Sequence, residues 1–167
     1  ILVADDQPDV LDAMRLVLKT AGFHADSASS IEDVRERLTA ARYDLLLMDL
    51  NYARDTTSGR EGLELLAEVI ARDPLLPVIV MTGWGTIETA VEAMRRGART
   101  FVHKPWDNAE LVRTVRREVD EGQVRRRAGA QASREREDAR LIQRALLPSA
   151  MPGIPGCEIA ARWEDEK

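Results

Sequence analysis

"YDLLLMDLN", residues 43–51, holds four apolar residues in a row, Leu45 to Met48, and then stops on the carboxylate of Asp49. A strand with one wet face alternates apolar and polar residues. An unbroken apolar run is instead the signature of a strand buried on both faces, as in a parallel sheet covered by helices. The same grammar recurs along the first 107 residues: "ILVADD" (1–6) ends on Asp5 and Asp6, "PVIVMT" (77–82) on Thr82, and "RTFVHK" (99–104) on Lys104. "FHADSA" (23–28) is a weaker member of the set.

Between these runs the apolar residues change period. Val10, Leu11, Met14 and Leu18 recur at helical spacing, as do Ile31, Val34 and Leu38, then Leu63, Leu66 and Ile70, then Ile87, Ala90, Val91 and Met94. Punctuation agrees with them. Pro8 suits a first helical turn, Ser30 with Asp33 resembles a capping box, and Gly22 and Gly97 fall just past helix ends. Five strands alternating with helices predict an α/β fold, a doubly wound five-stranded parallel sheet.

The fifth helix starts at an Asp107 cap and has no obvious stop before Leu147. Val112, Val115 and Val119 form its first apolar stripe; Ala132, Ala139 and Leu146 then repeat every seven, with Ile142 between them. That pattern predicts a long helix with a coiled-coil seam and a homodimer through residues 108–147. Gly122, Gly129 and the Arg125-Arg126-Arg127 run weaken the pattern in the middle, where a solvated linker is the alternative. The organisation expected is a domain over 1–107, a helical linker over 108–147 and the start of a further domain over 148–167.

Charge and cysteine usage exclude several classes. The chain of 167 residues carries a net charge of −5, which argues against direct nucleic-acid binding. Cys157 is the single cysteine, so no internal disulfide framework exists and a cytoplasmic setting is expected. No apolar run reaches bilayer length, and no membrane partner is expected. The first residue is Ile1 rather than Met, so a few upstream residues are expected.

In a doubly wound sheet, chemistry gathers at the carboxyl ends of the strands. Asp5, Asp6, Asp49, Thr82 and Lys104 all fall there. Three carboxylates brought together need cationic company, and a hard, oxygen-seeking divalent ion such as Mg²⁺ (or Mn²⁺) supplies it beside Lys104. Carboxylate, metal, lysine and hydroxyl together suit phosphoryl transfer to an aspartate, with Asp49 as nucleophile. Acidic residues also cluster in solvated loops, but the full set of carboxylates, hydroxyl and lysine at the ends of different strands is hard to explain that way. His24 and His103 lack partners at ligand spacing. Trp84 and Trp106 read as cover over the site's loops.

Residues 1–107 resemble the receiver domain of bacterial two-component response regulators, a flavodoxin-like fold, through "ILVADD", "DLLLMDL", "VIVMTGWG" and "FVHKPW". The resemblance implies Asp49 as phosphoacceptor and Asp5, Asp6, Asp49 and the backbone carbonyl of Asn51 as metal ligands. It implies Thr82 as switch hydroxyl, Lys104 as its ionic partner, Phe101 as switch aromatic and a histidine kinase as phosphodonor. The loop "NYARDTTSGREG" (51–62) is longer than in most receivers and lacks the usual proline; with "TGWGT" it resembles receivers of the nitrogen-regulation type. Separately, "IQRALLPSAMPGIPGCEIAAR" (142–162) resembles the entry to a metal-dependent serine/threonine phosphatase domain of the sporulation and stress-response class. It implies a phosphatase output acting on a downstream phosphoprotein, with no phosphatase activity in this chain itself. The alternatives are a transcriptional regulator of the nitrogen-regulation type and a stand-alone adaptor.

Overall fold

The computed structural model describes residues 1–51, 60–83 and 87–146. The long loop after Asn51, Trp84 and the phosphatase-like segment from Leu147 lie outside the described residues. The elements are β1 (Leu2–Ala4), α1 (Pro8–Thr20), β2 (Asp26–Ala28), α2 (Ile31–Ala40), β3 (Leu46–Asp49), α3 (Arg60–Arg72), β4 (Val78–Thr82), α4 (Ile87–Arg95), β5 (Thr100–His103) and α5 (Asn108–Leu146). The strands form one parallel sheet in the order β2-β1-β3-β4-β5, the doubly wound topology expected.

The apolar runs divide residue by residue between two cores. Leu46, Met48, Val78 and Val80 face one side of the sheet with Leu2, Val34, Leu66 and Ala93. Leu47, Ile79 and Met81 face the other with Val3, Met14, Leu18, Leu111 and Val115. Each side chain of β1, β3 and β4 therefore loses its water on one face or the other, which is why β3 could not alternate with polar residues.

Local chemistry sets the helix ends. The Asp33 N–H donates to Ser30 Oγ at 3.1 Å, as a capping residue requires. The return bond differs from the expected box: Asp33 Oδ2 accepts from Ser29, one residue earlier, at 3.2 Å. Gly22 and Gly97 both take positive φ, 88° and 105°, in the turns after α1 and α4. Asp107 caps α5 by accepting from the Glu110 N–H at 2.8 Å.

Two apolar stripes differ from expectation. In α5 the buried apolar side chains are Leu111, Val115 and Val119, and Val112 sits at the flank; the sheet meets the helix one residue earlier than composition suggested. In α4 the small Ala90 and Ala93 are buried, whereas Val91 and Met94 stay 44% and 40% exposed. Close packing of a short helix on small residues leaves the larger flanking ones in water.

The first compact unit runs from Ile1 to Arg127, well into α5. Gly122 is not a flaw there: a Cβ would stand 3.1 Å from Pro77 Cγ, so the missing side chain lets the helix approach the turn before β4. Arg126 Nη2 adds a 2.6 Å ion pair to Asp73, and Arg116 donates to the Ala21 carbonyl while lying over the Phe23 ring. Residues 128–167 form a second unit, in which every described side chain from Ala128 to Arg144 is exposed, Leu141 and Ile142 included. No helix among the described residues is long and apolar enough to cross a membrane.

Gly62 makes the tightest approach. A Cβ there would meet the Leu50 carbonyl oxygen at 2.3 Å and its Cα at 2.5 Å, with backbone that has no rotamer to yield. Gly62→Ala is expected to destabilise the protein by about 1–3 kcal/mol despite alanine's better helix propensity, read as a lower denaturation midpoint.

Candidate functional site

The sheet register brings the charged strand ends together. Ala4 pairs with Met48, so Asp5 follows β1 alongside Asp49 at the end of β3. Asp49 pairs with Met81, which puts Thr82 one step beyond, and Thr82 pairs with His103, the residue before Lys104. Residues up to 99 apart in sequence thus meet at one edge.

Lys104 is the hub. Its Nζ lies 2.5 Å from Asp5 Oδ2 and 2.8 Å from Asp49 Oδ2. Asp5 is fully buried, Asp49 3% exposed and Thr82 8% exposed, while Asp6 is half-buried. Asp5 Oδ1 also accepts the Gln7 N–H at 3.0 Å. Carboxylate oxygens of Asp5, Asp6 and Asp49 all lie within 4.8 Å of one another.

Burial pushes the Asp5 carboxyl above the usual carboxylate range, against the lowering effect of Lys104 and Gln7. Burial also opposes the Lys104 charge, but the hydrogen bonds and charges of Asp49 and Asp5 together outweigh it and hold the ammonium above its ordinary value. The two shifts pull the shared proton in opposite senses. They have different causes: desolvation dominates at Asp5, whereas the two neighbouring carboxylates dominate at Lys104. Lys104 stays charged, and its single positive charge stands among three carboxyl groups.

Asp49 Oδ1 is buried with no hydrogen-bond partner among the described residues. An acceptor in that position costs free energy until a cation or donor reaches it. A hard divalent cation fits the donor set, which is all oxygen, and the charge deficit. Asp5, Asp6 and Asp49 are the residues that would hold it.

Of the other residues singled out from sequence, Asn51 follows the cluster and is half-buried. Phe101 is 50% exposed on β5 and is not the core phenylalanine that its apolar character alone would suggest. His24 and His103 are exposed and belong to no ligand cluster among the described residues. Trp106 packs partly against the core and, with Val10, Gly83 and Pro105, walls a hollow of about 460 Å³ beside Lys104. The contribution of Gln7 left no trace in the sequence, because it is a backbone N–H that any residue supplies. The Lys104–Pro105 peptide is cis.

Removing the hub tests this charge balance. Lys104→Met is expected to lower stability by roughly 3 kcal/mol in a metal-free buffer, since it strands a buried pair of like charges. Millimolar Mg²⁺ is expected to restore more stability to the variant than it adds to the parent, as read by denaturation with and without the ion.

Comparison with known proteins supplies an independent view of the same residues. The response regulator receiver domain profile matches residues 1–116. The nitrogen assimilation regulatory protein NtrX of Azorhizobium caulinodans is 33% identical over 126 residues, 75% of this chain and 27% of the relative. The C4-dicarboxylate transport transcriptional regulatory protein DctD of Rhizobium meliloti is 34% identical over 117 residues, 70% of this chain and 24% of the relative. Among solved structures, the receiver domain of NtrX from Brucella abortus superposes with a TM-score of 0.65 at 31% identity, covering 71% of this chain and 97% of that one. The chain spans about a quarter of the length of these curated relatives.

Proposed function

Because the chain belongs to the response regulator receiver family, we propose that Asp49 is its phosphoacceptor, charged by a histidine kinase. The observation that carries this reading is the unsatisfied, buried Asp49 Oδ1 beside Lys104 and two further carboxylates. An Asp49 oxygen attacks the phosphorus of a phosphohistidine. The P–N bond breaks as the P–O bond forms, and the departing imidazole keeps the electron pair and takes a proton from solvent.

Asp5, Asp6 and Asp49, with the Asn51 carbonyl, hold Mg²⁺ or Mn²⁺, which when bound neutralises phosphoryl oxygens. Lys104 is already within 2.8 Å of Asp49, so its ammonium needs to move little to reach an oxygen of the new acyl phosphate. The Thr82 hydroxyl closes on a second oxygen, and Phe101, half-exposed at rest, turns inward into the space this leaves. Driving a two-state element from 1:99 to 99:1 takes about 5.5 kcal/mol. Two or three charge-assisted hydrogen bonds of about 1.5–3 kcal/mol each are of that order.

For the output, the relatives favour the transcriptional-regulator reading over the phosphatase one. NtrX and DctD are named as regulatory proteins, and the phosphatase reading draws only on the segment around 142–162. Contact with DNA would then fall to parts of the protein outside this acidic chain. The division into a receiver over 1–107, a linker over 108–147 and an output domain beginning at 148 belongs to the same proposal, with a cytoplasmic setting. Residues 108–147 form the dimerising linker, supported by the seven-residue repeat Ala132, Ala139, Leu146 and by the exposure of Leu141 and Ile142 in a single chain.

Incubation with acetyl phosphate and Mg²⁺ is expected to add one phosphoryl group by intact mass. The adduct should vanish in Asp49→Asn and without the metal, and should persist in Thr82→Ala; an adduct surviving in Asp49→Asn would sink the assignment. Light scattering is expected to return a dimer for the full chain and a monomer once Leu141 and Ile142 are both changed to Asp. A monomer in the parent, phosphorylated or not, would remove the coiled coil.

A further inference from the structure

A second hollow, of about 560 Å³, lies at the opposite end of the sheet, where the strands begin. It opens between the last turns of α2 and α3 and the α5 residue Arg126. Its volume falls within the range of small-ligand sites, which run from about 300 to 1,000 Å³. Its apolar lining comes from Leu38, Tyr43, Val69 and Leu76, all half-buried or buried. The Tyr43 hydroxyl is engaged by Asp26 at 3.0 Å, which leaves the ring as that residue's offering to the hollow.

Three guanidiniums, of Arg42, Arg72 and Arg126, complete the lining. Most other arginines of the receiver unit are matched to carboxylates, as in Arg35–Glu68, Arg37–Asp33, Arg96–Glu92 and Arg99–Glu118. These three are not matched one for one. Arg42 has no partner among the described residues, and Arg72 donates only to Thr39 Oγ1, at 2.9 Å. Asp73 is the one carboxylate in the lining, and Arg126 and the Leu75 N–H already occupy its two oxygens.

The carbonyl ends of α2 and α3 offset part of this positive charge. Each contributes about −0.5, so three guanidiniums, one carboxylate and two helix ends leave a balance of about +1. A bare, strongly hydrated anion gains little from such a site, because the apolar lining offers it nothing. A neutral apolar molecule leaves the guanidiniums unanswered.

We propose that this hollow is a binding site for a small amphipathic anion, a flat apolar or aromatic body bearing a phosphate or carboxylate. The head group takes the open donors of Arg42 and Arg72, which planar guanidiniums present in the fork that such oxyanions accept. The body lies on Tyr43 and the three aliphatic side chains. Arg126 belongs to α5 and is paired across to Asp73, so an occupant also bears on how α5 is held against the turn after α3.

Amide NMR of the full chain tests this, with 1-naphthyl phosphate as probe and a metal chelator present to keep the carboxylate cluster out of play. Saturable shifts are expected at Tyr43, Leu76 and Arg126. Inorganic phosphate and 1-naphthol, each carrying half of the probe's chemistry, are expected to bind at least about tenfold more weakly. Arg42→Ala, which removes a side chain with no structural partner, is expected to weaken the probe by roughly tenfold while leaving the spectrum otherwise folded. Arg72→Gln is expected to act in the same direction. Absence of saturation, phosphate binding as well as the naphthyl ester, or unchanged affinity in Arg42→Ala would each overturn the proposal.

Discussion

Lys104 between Asp5 and Asp49 is the interaction on which the arrangement depends. Three carboxylates with oxygens within 4.8 Å of one another would repel, and their burial at the end of a sheet would cost more than isolated side chains can repay. The lysine makes the cluster tolerable without making it neutral. It can do so only if β1, β3 and β5 end at the same level, and parallel register with two-sided burial enforces that. The greasy run that carries Asp49 is therefore part of the chemistry: its two-faced core holds the carboxylate still while repulsion and desolvation would push it away.

On the proposed reading this incomplete neutralisation would make the site reactive, since a fully paired cluster would have no use for a metal and an uncompensated one would be costly to fold. Asp49 Oδ1 is buried and unpartnered among the described residues, and burial pushes Asp5 towards its neutral form, so the cluster favours added positive charge. On the same reading, a cation held by Asp5, Asp6 and Asp49 would meet that demand, and a phosphoryl group on Asp49 would bring negative charge for Lys104 to balance.

Most of this was legible in the sequence because it rests on periodicity and on strand ends. Apolar runs of strand length identified the sheet, and the residue after each run named the cluster. Parallel register does the rest, since it converts position along a strand into position in space. Contributions without a side-chain signature stayed hidden. The Gln7 N–H could belong to any residue, and the return bond to Ser29 rather than Ser30 depends on one backbone turn. The width of an apolar stripe was misjudged in α4 and α5 for a related reason. Helical spacing names the face, but the neighbouring element decides how much of it is covered, so Val91 and Met94 remain in water while Leu111 does not.

Gly122 carries the same lesson further. Read alone, a glycine inside a helix costs about 1 kcal/mol and argues for fraying. Set against Pro77, it is the residue that lets α5 settle onto the receiver, with Arg126 closing on Asp73 one turn later. The helix propensity lost at Gly122 is recovered in packing that alanine would obstruct. The arginine run that looked like a disruption of a seam has Arg125 and Arg126 engaged by Glu121 and Asp73. Features that weaken a coiled coil are here the features that bind a helix to its own domain, and the compact unit that holds the sheet extends along α5 as far as Arg127. The helix is thus held to the unit from Leu111 to Arg126, rather than by its first turn alone.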